Sequence, residues 1–245
     1  MVTRLLDRQV SLLEYLTSSG AIFGGDGDAA LDQPLQGFDR GLLRLEACFS
    51  YEKRMEKIAA VFPRTLQLLG TDQSAIMREF IAVCPPIDIS RLANARQLYD
   101  FLCARWRNTP PQPAYLRDVA ACEFACAQVR ITTSSEESEP AGNEHAPRGY
   151  IRRLPGVVLL HCAYDIRSIF EAGSGQAAPV KRDTSLVIAI PPEAEQPEVF
   201  EVLPLVFDVL AVLDDWTDRS ALDLTPELDE LICELARHGL VEVRG

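Results

Sequence analysis

The sequence predicts an α+β protein: an N-terminal all-helical bundle followed by a C-terminal winged-helix-like domain with a small antiparallel sheet and helices. Three observations lead there. Apolar residues recur at helical spacing as far as Val129, whereas β-type runs dominate beyond residue 150. The segment between them is polar, acidic and without a large apolar residue from Ser134 to Glu144. The expected organisation is therefore a helical domain over residues 1–133, a flexible acidic linker over 134–149, and a winged-helix-like domain over 150–245.

Residues 4–18 place Leu5, Leu6, Val10, Leu12, Leu13 and Leu16 near one helix face. A glycine-rich connector follows at Gly24-Gly25-Asp26-Gly27-Asp28, whose two aspartates fall short of a calcium loop. Residues 41–61 read as a long amphipathic helix with Leu42, Leu45, Phe49, Met55 and Ile58 among its apolar positions. A short helix over 64–69 stops at Gly70. The next is capped by Asp72 or Ser74 and ended by Pro85-Pro86. Two more helices follow, over 91–106 and 114–129, the second with Leu116, Val119, Ala120, Phe124 and Val129 facing inward.

The acidic third carries another grammar. Residues 156–162 and 185–190 are β-type runs bounded by turn residues, and residues 198–202 form a shorter third. Pro204 opens a helix reaching Leu213. Thr225-Pro226-Glu227 is a cap followed by proline in the first turn. The helix it starts carries Leu228, Leu231, Ile232 and Leu235 on one stripe and stops at Gly239. Residues 240–243 return as a strand.

Charge separates the two halves as sharply as periodicity does. Residues 1–133 hold 15 Lys/Arg against 15 Asp/Glu and are neutral, whereas residues 150–245 hold 8 against 17, a net of −9 in a chain of −12. A winged-helix-like module of that sign repels phosphates and releases no counterions from them, which argues against nucleic acid. A winged-helix transcriptional regulator or DNA-binding protein is the alternative reading, and Glu227, Asp229, Glu230 and Glu234 against Arg237 weigh against it. No apolar run approaches the ~20 residues of a membrane span, and the first ten residues lack a signal-peptide core, so a cytoplasmic protein without membrane partners is expected.

Catalytic signatures are missing. The chain has no Gly-x-Ser-x-Gly elbow, no phosphate-binding Gly-x-x-x-x-Gly-Lys-Ser/Thr loop and no His-Glu-x-x-His pair, and Gly173-Ser174-Gly175 is a plain loop string. His145, His161 and His238 are far apart in sequence, and His161 and His238 are read as structural. Cys122 and Cys126, one helical turn apart, lack the further ligands that zinc requires and are read as core, as are the other five cysteines. Asp118 and Glu123 on an apolar helix are expected to be buried charges, each held in a structural ion pair within the bundle. No catalytic residue, metal ligand or cofactor is assigned to this chain.

Two segments carry a resemblance. Phe62-Pro63, Leu68-Leu69-Gly70, Cys84-Pro85-Pro86 and the run from Asp118 to Ala125 resemble, in order and spacing, the helical partner proteins of multinuclear-iron enzymes of TIM-barrel fold. Partners of the 3-thiaglutamate and methanobactin pathways are of this kind. Phe124 stands where that pattern commonly has Trp. The strands, the Pro204 helix and the helix running into residues 240–243 resemble a peptide-recognition element of the PqqD type. The resemblance implies a non-catalytic partner subunit, with residues 1–133 docking on the enzyme and iron held by that enzyme. It would bind the leader of a ribosomally made precursor peptide and deliver its cysteine for 3-thiaglutamate-type or oxazolone/thioamide-type modification. The leader would add as a strand beside Val199, Phe200, Glu201 and Val202 and pack against Leu231, Glu234 and Arg237.

Overall fold

A computed structural model describes residues 5–24, 35–136, 149–170, 178–222 and 225–244. Residues 25–28, 137–148 and 173–175, which include the expected glycine-rich connector and most of the acidic linker, lie outside the described residues. Both helix and sheet are present, so the α+β class holds. The chain divides into two compact units, Met1–Gln112 and Pro113–Gly245.

The first unit is helical: α1 (Leu5–Thr17), α2 (Ser19–Phe23), α3 (Arg40–Ala59), α4 (Pro63–Leu69), α5 (Gln73–Val83) and α6 (Arg91–Asn108). Side-chain caps start three of these helices. Ser18 accepts from the Ala21 amide, Asp39 from Leu42 and Ser90 from Ala93. Asp72 makes no such bond, because a 3-10 turn over Gly70–Asp72 leads directly into α5. Phe62, Phe80, Ile58, Leu98 and Leu102 are buried at its centre, with Phe80 and Phe101 ring centroids 5.5 Å apart. The buried stripe of α3 is Leu43, Ala47, Arg54 and Ile58, whereas Leu42, Leu45 and Phe49, read from the sequence as an apolar face, are exposed. The α1 face is likewise outward at Leu5, Leu6, Val10 and Leu13.

The second unit carries α7 (Leu116–Glu136), which packs against a sheet, and the expected boundary at residue 133 falls inside that helix. That sheet has the order β2–β3–β4, with β2 (Val158–Asp165), β3 (Val180–Ala189) and β4 (Glu198–Glu201) antiparallel throughout. A second antiparallel sheet, β5–β1–β6, joins β1 (Tyr150–Arg153), β5 (Thr217–Asp218) and β6 (Val241–Arg244). The remaining helices are α8 (Arg167–Phe170), α9 (Pro204–Val212) and α10 (Pro226–Arg237).

One cluster unites these parts: Val187 and Ala189 of β3, Leu210 of α9, Ile232 and Leu235 of α10, Ile151 of β1 and Val241 of β6 are all buried together. Alternation along β3 sends Val187 and Ala189 into this cluster and Leu186 and Ile188 to the opposite face of the sheet. Thr225 caps α10 through the Leu228 amide, and Gly239 ends it at φ +68°, where a Cβ would meet Pro192 at 3.2 Å.

Candidate functional site: an open sheet edge at β4

Among the described residues, β4 pairs on one side only. Its register with β3 matches Val187 to Phe200 and Ala189 to Glu198, and the Val202 amide donates to the Ser185 carbonyl at 3.0 Å. In an antiparallel ladder, bonded and non-bonded pairs alternate. Glu198, Phe200 and Val202 therefore turn their backbone groups towards β3, and Val199 and Glu201 turn theirs outward. The two outward residues offer two amides and two carbonyls in a regular edge.

The other edge of this sheet is protected. β2 changes register between Cys162 and Tyr164, and the freed Tyr164 amide donates to Asp118 Oδ2 of α7 at 3.0 Å. A bulge and an inward carboxylate are two common devices for blunting an edge. Burial raises the Asp118 pKa above the ordinary carboxylate value, and the Tyr164 and Ala163 amides and Arg117 partly oppose that shift. Asp118 thus serves a strand. Removing it in Asp118→Ala leaves the Tyr164 N–H without an acceptor and is expected to cost about 1–3 kcal/mol, read as a lower urea midpoint at unchanged slope.

The predicted contact residues divide by side-chain direction. Val202 packs against the core cluster and Val199 is half-buried, while Phe200 remains 37% exposed. Two further apolar side chains shortly after β4 are exposed, Leu203 at the N-cap of α9 at 72% and Leu205 in its first turn at 64%. Glu201 is engaged elsewhere. Arg182 contacts its Oε1 at 2.5 Å and Arg167 its Oε2 at 2.6 Å, and both arginines also hold Asp165, at 2.6 and 2.8 Å. The Arg182 hydrogen bond keeps Glu201 below the usual carboxylate range, and Arg167 foremost, then Arg182, does the same for Asp165. Asp165, Arg167 and Arg182 were not assigned from sequence, and the charged run Lys181-Arg182-Asp183 ahead of an apolar run was the available signal.

On α10, Leu231 packs against the same cluster as Val202, so those two predicted residues converge on one core. Glu234 and Arg237 do not join them. They pair with each other on the exposed surface, and His238 Nε2 lies 3.4 Å from Glu234 Oε1. No protein-family profile matches the chain, and no curated protein matches it.

Cys122 of α7 and Cys162 of β2 are buried, and Cys126 of α7 is half-buried. Cys122 and Cys126 are hydrogen-bonded to each other; that bond and burial push the Cys122 thiol up, while Cys162 is pushed up by burial to about 12. Cys122 and Cys162, held protonated, are poor nucleophiles, whereas the bond from Cys122 lowers the Cys126 thiol. His161 packs edge-on to Phe207 with centroids 6.2 Å apart. Among the described residues, no group of three His, Cys, Asp or Glu side chains is arranged to hold a metal ion, and no helix is long and apolar enough to cross a membrane. A stack at the second sheet was likewise not assigned from sequence. Arg152 and Arg244 lie 4.4 and 4.5 Å from the Trp216 ring centroid, with Glu242 bridging the two guanidinium groups.

Proposed function

We propose that the protein is a non-catalytic partner subunit that binds the leader of a precursor peptide as an added strand on β4. In this reading it presents the peptide's cysteine to an iron-dependent TIM-barrel enzyme. The observation that carries the reading is the regular β4 edge, unpaired among the described residues, with exposed Phe200 on it and exposed Leu203 and Leu205 after it, in a sheet whose other edge strand is bulged and bonded at Tyr164 to Asp118. Main-chain bonds to Val199 and Glu201 supply affinity in such an addition, and side-chain pockets supply specificity. The winged-helix-like and PqqD-like character of residues 150–245 belongs to the same proposal.

The net charge of −9 over residues 150–245 favours a leader carrying Lys or Arg together with apolar anchors. The exposed stripe of Leu42, Leu45 and Phe49 on the neutral helical unit is suited to docking on an enzyme surface. Binding energy from the leader, remote from the reacting atoms, then positions the cysteine. The iron belongs to the enzyme and the modification to the complex. Co-expression with a neighbouring barrel enzyme and its precursor peptide tests the reading. Co-purification of a ternary complex, with peptide retained only when this chain is present, is expected; failure of both proteins to associate and of the peptide to bind would falsify it.

A further inference from the structure

The helical unit contains a cavity of about 290 Å³. That is close to the lower end of ligand-sized pockets, roughly 300–1,000 Å³. Leu13, Leu16, Ile22, Ile81 and Ile89 give it an apolar wall. Lys53, Arg54 and Lys57 also line it, against a single carboxylate, Asp88. Asp88 already accepts from the Ser90 amide at 3.0 Å, and Lys57 Nζ donates to the Ile89 carbonyl.

Arg54 is the telling member. It is only 7% exposed, and its three nitrogens donate to Asn94 Oδ1 at 2.9 Å, the Cys84 carbonyl at 2.8 Å and Gln97 Oε1 at 3.1 Å. Every one of those acceptors is neutral, and they take three of the five N–H groups of a guanidinium. Among the described residues neither Arg54 nor Lys53 has a carboxylate partner. Buried charge without a counter-charge is costly, and a bound anion supplies what the fold leaves out. The Phe80 face at 4.6 Å offsets part of that cost without neutralising the charge.

We propose that this cavity binds a small organic anion, an alkyl or aryl body bearing one carboxylate. The apolar wall takes the body, and the Lys53–Arg54 side takes the head group. The site lies wholly in the helical unit and does not depend on how β4 is used.

Octanoate and octan-1-ol, titrated calorimetrically against the full chain, separate charge from apolar fit. Octanoate is expected to bind one per chain and at least tenfold more tightly than octanol. Lys53 is exposed, so Lys53→Glu leaves the fold alone and is expected to weaken octanoate at least tenfold while sparing octanol. Ser50→Trp fills the cavity and is expected to abolish both, with the melting temperature as the control for folding. Equal affinities for the acid and the alcohol, or octanoate binding unchanged in Lys53→Glu, overturn the proposal even if Ser50→Trp does not fold.

Discussion

Val199→Pro is expected to weaken binding of a fluorescently labelled leader peptide at least tenfold, about 1.4 kcal/mol, without unfolding the sheet. The direction follows from the ladder. The Val199 amide belongs to a non-bonded pair with Ile188, so β3 loses nothing when proline removes it. An incoming strand loses a donor worth about 0.5–1.5 kcal/mol net and also meets the pyrrolidine ring. Proline is tolerated at edge strands for the same reason. Phe200→Pro is the counter-experiment. Its amide faces β3, so proline there breaks the β3–β4 pairing and is expected to lower stability as well as binding. Phe200→Ala keeps the ladder and removes an exposed anchor, with an intermediate loss. Leader affinity unchanged in Val199→Pro, measured by anisotropy, removes β4 from the peptide site.

That experiment rests on a feature only partly legible in the sequence. Glu198 to Glu201 and the Pro204 and Thr225-Pro226 helix starts were readable because their signals are local: a β-branched and aromatic run, and a proline at the first helical position. Gly239 was readable for the same reason. Pairing is not local. Nothing in Tyr150-Ile151-Arg152-Arg153 marks a strand until Val241–Arg244 lies beside it, and Thr217–Asp218 is too short to show a period. The α7 helix was visible, but its neighbours were not. A helix buried on most sides from Leu116 to Val129 packs as readily on a sheet as on helices, and the Asp118 bond to Tyr164 spans 46 residues. Glu201 illustrates the cost. Its position on the edge was anticipated, but its engagement by Arg167 and Arg182 was not, and that engagement leaves the backbone of residue 201 free for pairing while its carboxylate is held.

Arg54→Leu is expected to destabilise the helical unit by about 2–3 kcal/mol, seen as faster amide hydrogen exchange in α3 and α6 and a lower urea midpoint. Periodicity alone counts this position as one more polar residue of an amphipathic helix, but it is buried and ties α3 to the C-terminal end of α5 and to α6. Leucine leaves the Cys84 carbonyl and the buried Asn94 Oδ1 without their donor, at about 1–3 kcal/mol each, and regains part of that by burying apolar surface and removing a desolvated charge. Burial already lowers the Arg54 pKa, which is the same desolvation seen from the proton's side. Arg54→Lys keeps the charge without the fork, so it is expected to restore less than half of the loss. A variant Arg54→Leu more stable than the parent chain would show that the hydrogen bonds do not repay the buried charge. The guanidinium would then be explained by what it holds in the adjoining cavity, and octanoate affinity in that variant, lower by at least tenfold, is the measurement that connects the two.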